Sequence, residues 1–188
     1  SVICPYTSVY EKMMQIACND ALLPGPDGVY IDQIGAAAHI LCYDPAHGHK
    51  IPDDPSWFIK GHHKVFSKIR SHFKALDPDR IFTTEDNAET CVANYDGALS
   101  WRWMNEGQVP FYTSVYAGKV QLFGLQYQKK IYPAAPYMLA WQLVCGAQLG
   151  RFSNDFLFDP RLGPFTKWCK KLIHLRKAVN DFIVNGNY

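Results

Sequence analysis

The sequence lacks several features that mark particular classes of protein. No apolar run approaches the ~20 residues that cross a bilayer, so we expect no membrane partner. No signal peptide is visible at the start, so an export signal gives no guide to the compartment. Charged residues make up only 19% of the chain, the net charge is +2, and the basic residues form no block. This charge pattern argues against nucleic acid as a partner.

The cysteines also lack the close pairing that is typical of many metal and redox motifs. None forms a CxxC pair, and most lie in apolar runs, at positions 4, 18, 42, 91, 145 and 169. This placement predicts free, buried thiols and slightly favours a reducing cytoplasm. An even count also suits disulfides in a secreted chain, so both the redox state and the localisation stay open.

Aromatic residues, by contrast, are abundant, at 14% of the 188 residues, and hydrophobic residues reach 48%. A chain of this length and composition predicts one globular domain, 1–188, with a core of its own. Many of the aromatic side chains will lie in that core. The number of Trp and Tyr residues also suits a site that binds flat, amphipathic ligands such as sugars.

Hydrophobic periodicity and Gly or Pro stops divide the chain into alternating helices and strands. Helices are predicted at 8–23, 56–76, 134–147 and 164–184, with a short helical stretch near 87–94. Strands are predicted at 29–32, 81–86, 98–103, 110–116 and near 145–151. This alternation is typical of an α/β protein with a parallel sheet and flanking helices.

The number of predicted strands, about five, falls short of a complete barrel. A full (β/α)8 TIM-type barrel needs eight strands and usually about 250 residues. We therefore interpret the chain as a partial barrel that contains the later strands, about the fourth to the eighth, and is a fragment of a longer chain. A small open α/β sheet is the competing fold. A partial barrel leaves open sheet edges, which predicts self-association or pairing with a missing N-terminal half-barrel.

Two acids stand at the carboxyl ends of predicted neighbouring strands. Asp32 ends "VYID" and Glu85 lies in "FTTED". Strands lie about 5 Å apart, and retaining glycosidases hold their two carboxyl groups about 5–5.5 Å apart. The pattern therefore predicts a catalytic pair, with Tyr30 and Gln33 as substrate contacts beside Asp32. Singly, Asp32 could instead cap the following turn, and Glu85 could be a surface acid.

The loop "LCYDPAHGHK" gathers Cys42, Asp44, His47 and His49 within eight residues. These are metal-ligand types, and "GHHK" at 61–64 adds two more histidines, but ligands two residues apart give only a partial shell. We interpret Asp44, His47 and His49 as donors and acceptors for substrate hydroxyls, with no metal bound. A loop held together by its own hydrogen bonds is the alternative.

Aromatic residues near predicted strand ends are candidates for stacking on a sugar ring. Trp101 and Trp103 alternate with Arg102 in "SWRW", so both indoles face one side of a strand. We assign Trp101 to the core and Trp103 to ligand contact, and Tyr116 at the end of "FYTSVY" is a similar candidate.

A neighbouring acid offers an alternative to Glu85. Glu89 is the substitute acid/base, because it would share a helical face with Glu85 one turn away.

Several segments together carry a resemblance to a known family. They are "DGVYIDQIGAA", "CYDPAHGH", "FTTEDNAE", "YDGALSW" and "VPFYTSVYAGKVQLFG". Over about residues 4–152 the chain resembles an uncharacterised family of glycoside hydrolase-like (β/α)8 barrel domains. That family is distantly similar to endo-α-N-acetylgalactosaminidases and α-amylase-type barrels, in which the nucleophilic Asp ends the fourth strand and the acid/base Glu ends the fifth.

The resemblance implies a retaining glycosidase that acts on a carbohydrate substrate without a cofactor. Asp32 would be the nucleophile and Glu85 the acid/base. In α-amylase-type sites a further Asp late in the barrel helps to hold the substrate, and the candidates here are Asp96, Asp155 and Asp159, although the "DG" at 96–97 reads as a turn before a strand. The resemblance also implies that the strands before residue 29 lie outside this chain and that the full-length parent is the active enzyme. The alternative is a non-catalytic carbohydrate-binding or degenerate barrel fragment.

Overall fold

The computed structural model describes residues 3–22, 25–36, 40–51, 56–86, 88–100, 107–124, 133–154 and 158–186. The chain is an α/β protein that divides into two compact units, Ser1–Asp96 and Gly97–Tyr188. Across the described ranges, no helix combines the length and the apolar character that a membrane span requires.

The first unit is a parallel βαβ arrangement preceded by a helix. Its elements are α1 (Ser8–Leu22), β1 (Gly28–Ile31), α2 (Ser56–Leu76) and β2 (Ile81–Glu85), with 3₁₀ turns at Pro45–His47 and Glu89–Cys91. The two strands pair in parallel, with Gly28 opposite Ile81 and Ile31 opposite Thr84. These helices and strands fall where the periodicity predicted them, to within about one residue at each end.

One face of the β1–β2 pair packs against the helices. Ile31, Phe82 and Thr84 are buried on this face. They adjoin a helical core made of Tyr10, Cys18, Leu22, Val65, Phe66, Ile69 and Phe73. The opposite face is open, because the side chains of Tyr30 and Ile81 are 41% and 48% exposed. The alternation along both strands therefore separates a packed face from an accessible one.

Asp96 fastens the start of β2 to α2. Its backbone N–H donates to the carbonyl oxygen of Phe82 at 2.7 Å, and Phe82 N–H donates back to the Asp96 carboxylate at 2.9 Å. Arg70 and Lys74 of α2 form ion pairs with the same carboxylate. Asp96 thus lies at the opposite end of β2 from Glu85, as the "DG" turn predicted.

The second unit holds another pair of parallel strands. Its elements are β3 (Gly97–Leu99), α3 (Phe111–Val115), β4 (Gln121–Phe123), α4 (Ala135–Val144), α5 (Gly163–Ala178) and α6 (Asn180–Ile183). Gly97 is opposite Gln121, and Leu99 is opposite Phe123. A core formed mainly by α4 and α5 includes Leu139, Leu143, Phe165, Cys169 and Leu172.

The strand predicted at 110–116 is wrong, because these residues form helix α3. The Pro110 carbonyl oxygen accepts hydrogen bonds from the Ser114 N–H and from the Thr113 and Ser114 hydroxyl groups. Such local bonds from hydroxyl side chains favour a turn of helix over a strand ladder. The fourth strand instead lies at Gln121–Phe123.

Two further predictions for the second unit need correction. Residues 145–150 form no strand, since Gly146 and Gly150 adopt positive φ angles of 68° and 91° that interrupt an extended chain. The long helix predicted at 164–184 is broken at Val179, whose φ of −110° and ψ of 18° are not helical. Only the first part of the strand predicted at 98–103 lies in the described residues.

Three thiols give the fold a defined response to alkaline pH. Cys18, Cys145 and Cys169 are buried free thiols, and burial raises the pKa of each to about 11 from the ordinary 9.0. Between pH 9 and 11 the unfolded thiols ionise while the folded ones stay neutral, so the unfolded state binds fewer protons. We expect this contribution to the unfolding free energy to be intact below pH 9 and to decline up to pH 11.

Urea unfolding between pH 8 and 11 measures this decline. Lysines and tyrosines also titrate in the same range, so the reference is a variant in which all three cysteines are replaced by alanine. Its urea midpoint should fall less steeply with pH than that of the parent chain. Equal slopes would contradict the prediction.

Candidate active site

The two predicted catalytic acids lie at the same level of neighbouring strands. Asp32 directly follows the last residue of β1, and Glu85 is the last residue of β2. Ile31 pairs with Thr84, so each acid is one residue beyond that pair. Adjacent strands are about 5 Å apart, which makes the two backbones neighbours at the carboxyl edge of the pair. Functional residues of parallel α/β folds lie at this edge.

Hydrogen bonds from two predicted substrate contacts hold the two carboxylates. The Tyr30 hydroxyl donates to Oδ1 of Asp32 at 3.0 Å, and Nε2 of Gln33 donates to Oε2 of Glu85 at 3.0 Å. Asp32 and Gln33 are exposed, and Glu85 is half-buried. Because Tyr30 points away from the helical core, its bond places the Asp32 carboxylate on the accessible face of the strands.

Both strands leave the sheet through a residue with left-handed backbone. Gln33, which follows Asp32, has a φ of 67°, and Asp86, which follows Glu85, has a φ of 62°. Positive φ is uncommon for residues other than glycine, and such strain tends to be found at functional sites. The two acids are therefore each followed by a sharp change of chain direction.

The turn after β1 lies tightly against the end of β2. The Gly35 N–H donates to Oγ1 of Thr84 at 3.3 Å. A Cβ at Gly35 would lie 2.9 Å from the Asp86 carbonyl oxygen and closer still to that of Glu85. Only glycine fits this approach, which brings the amide of Gln33 to Glu85. The sequence signal is the glycine three residues after Asp32, but its contact with β2 joins residues about 50 apart and is not visible in the local pattern.

The capping alternative for Asp32 finds no support where the chain is described. The turn that follows is closed by a backbone bond, from the Ala36 N–H to the Gln33 carbonyl oxygen at 3.3 Å. The described contact of the Asp32 carboxylate is with a side-chain hydroxyl and not with a backbone amide of that turn.

Two other predicted positions, Glu89 and Tyr116, need correction in their local structure. Glu89 starts a 3₁₀ turn while Glu85 ends a strand, so the two acids do not share a helical face. Tyr116 follows helix α3 instead of ending a strand, and its ring packs 4.7 Å from that of Tyr112. Substrate contact by Glu89 and Tyr116 stays a prediction.

Two candidates for a third acid, Asp96 and Asp159, form ion pairs with neighbouring side chains. Asp159 accepts from the Arg161 N–H at 3.0 Å and pairs with the Arg161 guanidinium, which raises the pKa of Arg161. Asp96 binds α2, as described above. Trp101, Trp103 and Asp155 lie outside the described residues.

The four histidines considered as possible metal ligands lie in different surroundings. His62 is buried in the core, with Nδ1 at 2.7 Å from the Tyr10 hydroxyl, and His63 is exposed. His47 and His49 instead lie beside Cys4 and Cys42, and one ligand atom from each of these four residues lies within 4.8 Å of the others. Among the described residues, these four side chains could hold a metal ion. Within the described ranges, this group of four includes neither His62 nor His63.

The fold and this edge define an α/β protein with a pair of acids at the carboxyl ends of parallel strands. Residues 1–127 match a family described as a domain of unknown function, DUF6259. The chain belongs to the DUF6259 family.

One relative carries a name that refers to a reaction. The whole chain is 25% identical over 195 aligned residues to a Bacteroides thetaiotaomicron protein named "Putative glycoside hydrolase". The chain spans 28% of the length of that relative. No solved structure matches the chain.

Proposed function

We propose that this chain carries the catalytic acids of a retaining glycoside hydrolase, with Asp32 as the nucleophile and Glu85 as the acid/base. The observation that carries the proposal is the register of β1 and β2. It sets the two acids side by side at the carboxyl edge, on a pair of strands with an accessible face. The similarity to a protein named as a glycoside hydrolase supports the same reaction class.

The proposed reaction gives each of the two acids one role. Asp32 attacks the anomeric carbon while Glu85 gives its proton to the departing glycosidic oxygen, which forms a covalent glycosyl-enzyme. Glu85, now a carboxylate, removes a proton from water, and the water displaces Asp32 from the sugar. Tyr30 and Gln33 position the two carboxylates through the hydrogen bonds described above.

The uncovered strand face supports a partial barrel as the setting of this site. Strands of a (β/α)8 barrel pack one face on helices and turn the other into the barrel interior. Tyr30 and Ile81 occupy the face that would turn inward. In the described part of the first unit, β1 pairs with β2 on one edge alone. Further strands beside β1 would complete the barrel in the longer protein, and a carbohydrate would lie across the acids.

A glycosidase assay on the complete gene product that contains this sequence tests the proposal. A panel of nitrophenyl glycosides should include at least one substrate that is hydrolysed. Proton NMR of the first product formed should show the anomeric configuration of the substrate. Inversion would overturn the assigned roles. Binding of a sugar without hydrolysis of any substrate would favour the carbohydrate-binding alternative.

Gln33 offers a test of positioning that leaves the backbone undisturbed. Asn tolerates the left-handed conformation better than most residues, so Gln33→Asn should keep the fold while its shorter amide fails to reach Glu85. Small misplacements of a catalytic group cost up to about 10²-fold in rate. We expect kcat to fall by up to about 10²-fold while the urea midpoint stays unchanged. An unchanged kcat would remove Gln33 from the site.

A further inference from the structure

We propose that Cys4, Cys42, His47 and His49 bind one zinc ion in a closed, structural site. One ligand atom from each of the four residues lies within 4.8 Å of the other three. Zinc binds sulfur at about 2.3 Å and nitrogen at about 2.0 Å in a tetrahedron, so its ligand atoms lie about 3.3–3.8 Å apart. Sγ of Cys4 is 3.4 Å from Nε2 of His49, and Sγ of Cys42 is 3.1 Å from Nδ1 of His47.

The second nitrogen of each imidazole shows which nitrogen faces the site. Nδ1 of His49 lies 3.1 Å from the carbonyl oxygen of Lys50. A carbonyl oxygen only accepts, so Nδ1 carries the proton and the lone pair of Nε2 points toward Cys4. Likewise Nε2 of His47 lies 3.4 Å from the Asp44 carboxylate, which leaves the lone pair of Nδ1 toward Cys42.

This arrangement is the one that zinc-binding histidines adopt. Their outer nitrogen almost always donates to a carboxylate, a backbone carbonyl or water, which fixes the ring and its tautomer. The outer nitrogen of His47 faces the Asp44 carboxylate, and the outer nitrogen of His49 faces the Lys50 carbonyl oxygen. Two thiols and two oriented imidazoles form the Cys2His2 set of structural zinc sites.

The backbone brings the ligands of the loop together. The Asp44 carboxylate accepts from the Ala46 N–H at 2.9 Å, which begins the 3₁₀ turn Pro45–His47. Gly48 then adopts a φ of 74°, which reverses the chain between the two histidines. The turn and the reversal let His47 and His49 converge, although they are only two residues apart.

Cys4 comes from a different part of the chain and is equally well placed. Its carbonyl oxygen accepts from the N–H and the hydroxyl of Thr7, just before α1. The Tyr6 ring packs edge-on against His49, with ring centroids 5.5 Å apart. Gly61 of α2 allows this segment to lie close, because a Cβ there would be 2.9 Å from Pro5 and Tyr6 atoms.

The number of protein ligands decides between a structural and a catalytic role. Four protein ligands complete a tetrahedral shell and leave no position for a reactive water. Three of the four ligands, Cys4, Cys42 and His47, line a surface cleft of about 260 Å³, through which an ion can enter. A bound zinc would join the segment before α1 to the loop after β1. This assignment replaces the predicted sugar contacts of His47 and His49 and gives Asp44 a supporting role.

Metal titration of the reduced, metal-free 188-residue chain tests the proposal. We expect one equivalent of Zn²⁺ per chain by native mass spectrometry. One equivalent of Co²⁺ should give visible bands of tetrahedral cobalt with a thiolate charge-transfer band. His49→Ala should lose the stoichiometric ion, whereas the matched control His63→Ala, on the exposed face of α2, should keep it. Circular dichroism of each metal-free variant checks that the chain is folded.

A second variant distinguishes the effect of Asp44 on His47 from its effect on the 3₁₀ turn. Asp44→Asn keeps a side-chain oxygen for the Ala46 N–H but removes the charge beside His47. Loss of such a partner typically weakens metal binding by about 10–100-fold, and we expect a loss in this range. A folded, reduced parent chain that binds no stoichiometric Zn²⁺ would overturn the proposal. Equal losses in His49→Ala and His63→Ala would do the same.

Discussion

Asp32→Asn is expected to abolish glycoside hydrolysis by the complete gene product, and Glu85→Gln to slow it by about 10²–10⁴-fold. Asn has nearly the size of Asp, so the Tyr30 contact has room to persist, but a neutral amide cannot attack the anomeric carbon. Gln cannot supply the proton that the departing oxygen needs. Steady-state kinetics on the best nitrophenyl glycoside measures both effects.

The two variants should differ in a further way that follows from their roles. Dinitrophenyl is a good leaving group and needs little protonation, so Glu85→Gln should still form the glycosyl-enzyme on such a substrate and hydrolyse it slowly. Mass spectrometry of Glu85→Gln should then show a covalent sugar adduct, and Asp32→Asn should show none. Asp79→Asn, an exposed acid in the turn after α2, is the control and should keep full activity.

The outcome also tests the choice between neighbouring acids. Activity that survives both substitutions would end the assignment of Asp32 and Glu85. Full activity in Glu85→Gln with none in Glu89→Gln would transfer the acid/base role to Glu89, which starts the 3₁₀ turn beyond β2.

Gly35→Ala is expected to have the second-largest effect, on stability and activity together. The added methyl group meets the backbone carbonyl oxygens of Glu85 and Asp86, which cannot rotate away as a side chain can. Overpacking of this kind typically costs about 1–3 kcal/mol in unfolding free energy. The strain falls on the residue that we assign as the acid/base, so kcat should fall by up to about 10²-fold.

Gly163→Ala is the matched control for this substitution. Gly163 has a helical φ of −50°, and beyond its own helix and chain neighbours a Cβ there has no atom within 4 Å. Reduced freedom of the unfolded chain favours alanine by about 0.4–1 kcal/mol, whereas the ring of Pro164 opposes a Cβ in this helical conformation, so we expect little net change in stability. Urea unfolding and kcat should therefore separate the two variants clearly. A Gly35→Ala chain as stable and active as Gly163→Ala would show that the close approach is unimportant.

Periodicity predicted the first unit well because its signals are local and agree with each other. The apolar spacing in α1 and α2 and the Gly and Pro residues before β1 set the elements to within about one residue. In the second unit the same reasoning failed at 110–116, where the aromatic and β-branched residues are types enriched in strands. Hydrogen bonds to the Pro110 carbonyl oxygen outweighed that preference.

Some features of the site are visible in the local sequence, and others depend on contacts between residues far apart in the chain. Strand ends located Asp32 and Glu85, because a parallel pair places its carboxyl ends together. The bond from Gln33 to Glu85 joins residues 52 apart, and the contact of Cys4 with His49 joins residues 45 apart. No spacing rule within one segment predicts such pairs. The two histidines, two residues apart, supply only part of a metal shell, and the fold adds Cys4 to them.

The left-handed residues after the two acids have a consequence for which parts of this chain can vary. Gln33 and Asp86 each change the direction of the chain within a single residue. Segments further along the loops after β1 and β2 can then change in length or composition while the positions of the two carboxylates stay the same. Under the proposed function, remodelling of those segments would change the saccharide that is accepted while the two carboxylates keep their places.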